Sequence, residues 1–378
     1  MSWNWQQKHW PHFTYDATQL EPLEREFAQL LGTVTGAMKH LQEQERDQIV
    51  VQFLSTEGVK TAEIEGELLN RDSVQSSIRR KLGLSTVKKN VQPAEAGMAE
   101  MLVAVYQNYA SPLTKRELDS WNAALMHGRT DVETIGAYRT HDDPMQIVSG
   151  GMGNETVHFE APPSKDVPRH MQEYIHWFND SRQTLPPLAR AGIAHLYAVS
   201  IHPYEDGNGR MARALAEKAL SESIGAPALS GISRQIALKK STYYDQLARN
   251  NQDLTITDWL LYFGKTLIAA KTYVLASVER VLEKASVYST FAKDLNERQK
   301  KAIDRLFEAE PEGFVGGLSA GKYITITKAK RATATRDLQK LVHLGILRKT
   351  GERRHARYWL PPHALRSSAS ARTQAPYS

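Results

Sequence analysis

Residues 202 to 213 read His-Pro-Tyr-Glu-Asp-Gly-Asn-Gly-Arg-Met-Ala-Arg, and these residue types at this spacing suit phosphoryl or nucleotidyl transfer. Gly207 and Gly209 permit positive φ and close approach of a ligand to the backbone. A helix starting beside them would point its first N–H groups outward as orphan donors, which makes a nest for anions. Arg210 and Arg213 stand three apart, on one face near the positive end of that helix, where both can reach phosphate oxygens. Asp206 adds a carboxylate at the mouth, and one carboxylate beside a polyphosphate is a usual way to help hold Mg²⁺, which keeps most of its waters and phosphate ligands. His202 can accept a proton near neutral pH. It would take the proton of an attacking hydroxyl while the nest and the metal stabilise charge on the phosphate. The plain alternative is a helix-linking loop with Gly for turns and Arg for solubility; the density of functional types in so short a run weighs against it.

Helices must position that loop from both sides. Leu188, Ile193, Leu196, Val199 and Ile201 lead into it at helical spacing, and a second helix is expected to start near Arg210. Upstream, an aromatic cluster (Trp3, Trp5, Trp10, Phe13, Tyr15) precedes helix-like spacing at Leu20, Leu23, Phe27, Leu30 and Leu31, and helical patterns follow at 49–54, 64–69, 98–109 and 118–126. The exception is 145–159, where Gln-Ile-Val-Ser and Thr-Val-His-Phe flank Gly-Gly-Met-Gly-Asn, a hairpin signal that Pro162 and Pro163 end. Past about Thr290 the pattern is a helix over 297–308, a Gly-rich turn, a helix over 333–344 and a basic hairpin within 351–359, the order of a winged helix-turn-helix.

Composition narrows the classes. At 378 residues the chain should hold two or three domains, and 41% hydrophobic with 24% charged residues excludes disorder throughout. With no cysteine, disulfides and thiolate chemistry are excluded, which suits a reducing compartment. There is no long apolar run and no apolar segment at the start, so no membrane association and a cytoplasmic location are expected. From Ala329 to the end, eleven Lys and Arg face only Asp337 and Glu352, a local net charge of +9 that leaves −3 for all that precedes. A nucleic-acid or acidic-partner surface, if there is one, is C-terminal.

The run at 202–213 closely resembles the signature of the Fic family, His-x-Phe-x-(Asp or Glu)-Gly-Asn-Gly-Arg-x-x-Arg, departing only at Tyr204, whose hydroxyl must then find a partner. The resemblance implies transfer of AMP from ATP to Ser, Thr or Tyr hydroxyls of target proteins. It makes His202 the general base, Asp206 the Mg²⁺ ligand, Asn208 with the backbone of Gly207 and Gly209 the anion hole, and Arg210 and Arg213 the holders of the outer phosphates. It extends over roughly 90 to 265. The hairpin would be the family's flap, aligning a target segment by strand addition, with Ile147, Val148, Ser149 and Gly150 beside the nucleotide; a purely structural hairpin is the alternative. Tyr243 and Asn251 match a Tyr-Tyr-x-x-Leu stretch and a following Asn that border the nucleoside in relatives, though a helical Tyr commonly packs in a core. Thr61-Ala-Glu-Ile-Glu-Gly resembles the family's inhibitory motif, (Ser or Thr)-x-x-x-Glu-(Gly or Asn). With Thr61 and Glu65 one helical turn apart and Gly66 closing the motif, Glu65 could pair with Arg213 and occupy the space a γ-phosphate needs.

The expected fold is mainly α: a helical N-terminal domain carrying the inhibitory motif (1–90), a Fic-type helical core with a β-hairpin flap (91–285), a C-terminal winged helix-turn-helix (286–365) and a disordered tail (366–378). The expected activity is self-inhibited protein adenylylation with ATP and Mg²⁺. Removal of AMP through the same site, or nucleotide sensing by a DNA-binding regulator, stays open, as do GTP or UTP in place of ATP. Gly316-Gly-Leu-Ser-Ala-Gly-Lys-Tyr nearly makes a phosphate loop, but Tyr323 stands where Ser or Thr must meet Mg²⁺. Gly151-Met-Gly-Asn belongs to the hairpin, His195 should pack inside, and His127, His158 and His176 lack metal-ligand spacing. In the C-terminal module, Arg331, Arg336, Lys340, Arg353, Arg354 and Arg357 could contact DNA phosphates, or the module could serve dimerisation or target docking.

Overall fold

The structure, a computed structural model, describes residues 2–86, 91–149, 156–308, 314 and 316–361, leaving aside the side chains of Val148, Ser149 and Thr156. By contacts the chain forms two units: the residues to Thr35 with Gln42–Val274, and Gly36–Leu41 with the chain from Leu275 onward. The stretch read as a separate N-terminal domain thus packs, for the most part, in one unit with the core.

In the first unit the described α-helices are α1 (Ala17–Lys39) as far as Thr35, α2 (Glu43–Ile64), α3 (Arg71–Lys81), α4 (Pro93–Gln107) and α5 (Lys115–Leu125); a hairpin of β1 (Gln146–Ser149) and β2 (Thr156–Glu160); then α6 (Val167–Asp180), α7 (Pro187–Ile201), α8 (Asn208–Ile224), α9 (Ile232–Leu238), α10 (Lys240–Asn250) and the start of α11 (Thr257–Phe291). Local sequence sets several starts. Asn70 and Thr114 accept the N–H of Ser73 and Glu117 at 3.0 and 3.2 Å as N-caps, and Pro93 and Pro187 sit in the first turns of α4 and α7. Every residue of α7 from Leu188 to Ile201 is buried, so this helix is the centre of the unit. The one ion in its interior, Arg190, is satisfied by Glu222 of α8 at 2.5 Å and by the carbonyls of Phe178 and Ala219.

The helical pattern over 64–69 is not a helix. α2 ends at Ile64, and Gly66 at φ +84° takes the left-handed position that closes a helix, with Glu67 N–H returning to Ala62 O at 3.0 Å. In the hairpin, Ile147 faces Phe159 and Val148 faces Val157, with an irregular step between them. The N-terminal aromatic cluster holds it: Trp3 lies edge-on to Phe159 at 5.4 Å, and Trp5 donates its indole N–H to Glu160 O at 2.7 Å. Residues 150–155 lie outside the described residues, as does the stretch 366–378.

The second unit contains the rest of α11, then α12 (Glu297–Phe307), α13 (Ala320–Thr327), α14 (Arg331–His343) and a hairpin of β3 (Arg348–Thr350) and β4 (Arg357–Trp359), with Leu318 bridging Tyr358 antiparallel. Ile303, Leu306, Leu318, Tyr323, Leu338 and Leu341 form its own core. Tyr323 turns inward and donates to Asp337 at 3.0 Å, and the near phosphate loop runs from a turn into the first residues of α13. Among the described residues no helix is long and apolar enough to cross a membrane.

Candidate active site

His202 is the cap residue of α7 and holds a left-handed conformation, φ 51° and ψ 61°, that a non-glycine residue adopts only when its surroundings impose it. Arg139 imposes it. Its Nε donates to His202 O at 2.8 Å, its backbone N–H to Pro203 O at 2.9 Å, and its Nη1 to Ser164 Oγ at 2.7 Å. The ring Nδ1 of His202 lies 3.3 Å from Val199 O, so with the proton on Nδ1 the Nε2 lone pair is left to accept. Burial, reinforced by the Arg139 charge, pulls the imidazole down to about 4, which keeps it neutral, with a lone pair to accept a proton, at physiological pH.

The loop is tied by its own side chains. Asn208 accepts Tyr204 N–H at 3.0 Å and donates to Tyr204 O at 2.7 Å. These two bonds brace the loop with Oδ1 and one amide N–H of Asn208, and leave its second N–H for the anion hole beside the backbone N–H groups at the start of α8. Tyr204 is buried and its hydroxyl donates to Asp119 at 3.1 Å, the partner its departure from the signature requires. Gly207 stands at φ +87° as the residue before α8. Asp206 accepts Gly207 N–H at 2.5 Å and pairs with Arg129 at 2.9 Å and Arg210 at 3.2 Å.

The end of α2 closes over this loop. Arg213 donates its Nε to Thr61 Oγ1 at 2.7 Å and its Nη2 to Glu65 Oε1 at 2.7 Å and to Thr61 O at 3.0 Å. A Cβ on Gly209 would fall 2.2 Å from Glu65 Oε1, so only glycine admits the carboxylate against the first turn of α8. Glu65 therefore lies where the helix start would attract an anion. Glu67 pairs with Arg210 at 2.6 Å. Two buried donors in this cluster, Arg213 Nη1 and Arg210 Nε, have no hydrogen-bond partner among the described residues.

Beside His202 and Glu65 opens a cavity of about 750 Å³, bordered by Ile147 of the hairpin and by Tyr244 and Asn251. Asn251 gives its amide N–H to His158 O at 3.1 Å, while its Oδ1 is buried and has no partner among the described residues. Tyr243 does not border this space. Its hydroxyl bonds His195 Nε2 at 3.1 Å inside the core, packed near Trp259, and the next residue, Tyr244, faces the cavity, 3.2 Å from Ile64 O and 3.5 Å from Glu65 Oε2. The α10 register puts the two tyrosines on different faces. His195 packs inside as expected. Val148 and Ser149 continue β1 from Ile147. Among the described residues no group of three or more His, Asp or Glu could hold a metal.

Sequence reasoning missed Arg139, Arg129, Glu67 and Tyr244. Glu67 and Tyr244 adjoin motif residues and were within reach; Arg139 and Arg129 meet the loop through separations of 63 and 77 residues, which leave no local signal.

Residues 112–220 match the Fic/DOC family, and residues 3–84 match a domain of unknown function, DUF4172. The chain contains a Fic domain. Protein adenylyltransferase fic-1 of Caenorhabditis elegans is 46% identical over 50 residues, 13% of this chain and 10% of the relative. Protein adenylyltransferase Fic of Drosophila grimshawi is 34% identical over 117 residues, 30% of this chain and 23% of the relative. These matches therefore span a quarter or less of the curated relatives. A solved Fic family protein from Desulfovibrio desulfuricans is 20% identical, covers 93% of this chain and 98% of its own, and superposes with a TM-score of 0.54. A Fic domain-containing signaling protein from Bacteroides thetaiotaomicron is 19% identical with a TM-score of 0.50, covering 66% of this chain and 95% of that one. The fold is the mainly helical Fic fold with its hairpin. The segment Thr61–Glu67 falls in the other matched domain, not in the Fic match.

Proposed function

We propose that this chain transfers AMP from ATP to a hydroxyl of a protein target, and that Glu65 restrains the transfer by occupying the phosphate site. The observation that carries the reading is the Glu65 carboxylate seated on Arg213 and against Gly209, in the cavity that His202 also borders.

In the forward step the hydroxyl oxygen attacks the α-phosphorus, the bond from that phosphorus to the bridging oxygen of the β-phosphate breaks, and pyrophosphate leaves. The hydroxyl proton goes to His202 Nε2, which the Nδ1 contact with Val199 O leaves free to accept. The first N–H groups of α8 and the donors Arg213 Nη1 and Arg210 Nε would take the phosphate oxygens. Asn251 Oδ1, an acceptor without a partner among the described residues at the cavity wall, suits an N–H donor of a nucleobase, such as the exocyclic amine of adenine. Mg²⁺ fits only as an ion shared with the phosphates: Asp206 would be its one carboxylate, exchanging its arginine contacts for the cation, which would neutralise charge on the polyphosphate. A target segment would lie along the hairpin by strand pairing.

While Arg213 holds Glu65, the outer phosphates lack their partner. A hydrogen bond to a charged group contributes about 1.5–3 kcal/mol, so freeing Arg213 should raise transfer by about 10- to 100-fold. The test is transfer of α-³²P label from ATP to protein by the wild type, Glu65→Gly and the double variant Glu65→Gly with His202→Ala. Label should rise in the first variant and vanish in the second. Equal label in wild type and Glu65→Gly would overturn the restraint, and label surviving His202→Ala would overturn the mechanism.

A further inference from the structure

We propose that the groove between α14 and the β3–β4 hairpin binds duplex DNA, in the manner of a winged helix. The groove encloses about 780 Å³, and its wall carries Arg331, Lys349, Arg353, Arg354 and Arg357 with no carboxylate. The two acidic residues of this stretch are elsewhere: Asp337 is buried, bonded to Tyr323 and Arg298, and Glu352 is not part of the wall. A concave wall of one sign of charge attracts a polyanion.

The shape and the uncharged residues say which polyanion. Arg331, Thr335 and Gln339 stand four apart on α14, so they form one stripe facing the groove. A guanidinium, a hydroxyl and a carboxamide are the groups that read base edges in a major groove. A helix enters the wide major groove of B-form DNA, whereas the major groove of A-form RNA is too narrow and deep for side chains to read. Single-stranded nucleic acid is held by stacking on exposed aromatics, and the aromatic residue of this wall, Tyr358, is buried in the core of the unit. The hairpin loop is braced for contact: Arg357 Nη1 donates to Ala356 O at 3.0 Å and Arg354 O at 3.3 Å, fixing the turn that carries Arg353 and Arg354. Arg336 and Lys340 lie outside the wall, and Lys340 donates to Asp294 O instead, so of the cations expected to contact phosphate these two are set apart.

The test is fluorescence anisotropy of a labelled mixed-sequence duplex with the full chain at about 50 and about 200 mM salt. Four phosphate contacts give a log–log salt slope near −3.6, hence about a 100-fold loss of affinity across that range. Arg354→Ala and Arg331→Ala should each weaken binding by about tenfold at the lower salt, with unchanged melting temperature because both side chains are exposed. The charge-matched Arg336→Ala should change binding less than about twofold, since it removes no groove contact. No binding at the lower salt overturns the proposal. So does a loss in Arg336→Ala as large as in Arg354→Ala, which would mean diffuse charge, or equal affinity for single-stranded RNA or polyglutamate, which would mean a different partner. None of these outcomes touches adenylyl transfer, which the label assay reads separately.

Discussion

Two neighbours and burial set the state of His202. Arg139 pins its carbonyl, Val199 O takes the Nδ1 proton, and burial keeps the ring neutral. The pH dependence follows from the direction of that shift. A base lowered to about 4 loses its function only as pH falls towards 4, so kcat/KM of the Glu65→Gly variant, which reports the free enzyme, should show no acid limb between about pH 6 and 8. An acid limb with its midpoint above 6 would show that the ring titrates as an ordinary histidine. Arg213 presents the complementary case. Its guanidinium is committed on one side to Thr61 and Glu65, while Nη1 is buried without a partner among the described residues.

At the scale of elements, α2 acts as a clasp on α8 and α9. Its end supplies Thr61, Glu65 and Glu67 to the arginines of α8, and one turn before Thr61 it places Glu57 against Ser233 at the start of α9, where Glu57 accepts the Ser233 N–H at 3.1 Å and also the Ser233 hydroxyl. Burial raises Glu57 to about 7 despite these bonds. An acid raised in the fold binds its proton there while the unfolded chain does not, so this contribution is full below about 4.5, declines as pH rises to about 7 and is level above. Glu57→Gln removes the titration. The melting temperature of the variant relative to wild type should therefore be higher near pH 8 than near pH 5, and an identical difference at both would refute the raised value.

For the whole molecule, the two units each have a hydrophobic core of their own, one built around α7 and α8 and the other around α12 and α14. Calorimetry should resolve two transitions. ATP with Mg²⁺, bound by the first unit of the Glu65→Gly variant, should raise one transition by mass action and leave the other in place; a single transition that moves as a whole would show the units to be thermodynamically one. The +9 charge of the stretch from Ala329 onward lies wholly within the second unit, while the arginines at the start of α8 in the first unit are buried.

The sequence alone determined what is local. The glycines and arginines of 202–213, the helices on either side, the hairpin at 145–159 and the basic end are set by residue type and by spacing over a few residues, which is how propensity, turn chemistry and periodicity act. The Thr61–Gly66 motif was legible as a candidate, but its helix was read too long because the apolar spacing runs on past Gly66, whose positive φ stops it. The tertiary structure decided what depends on distant chain meeting in space: that Glu65 and Glu67 reach Arg213 and Arg210, that Arg139 forces the His202 backbone, that Trp3 and Trp5 hold the hairpin, and that Tyr244 rather than Tyr243 faces the cavity. Such pairings follow from how buried faces pack, and many different packings are compatible with the same local pattern.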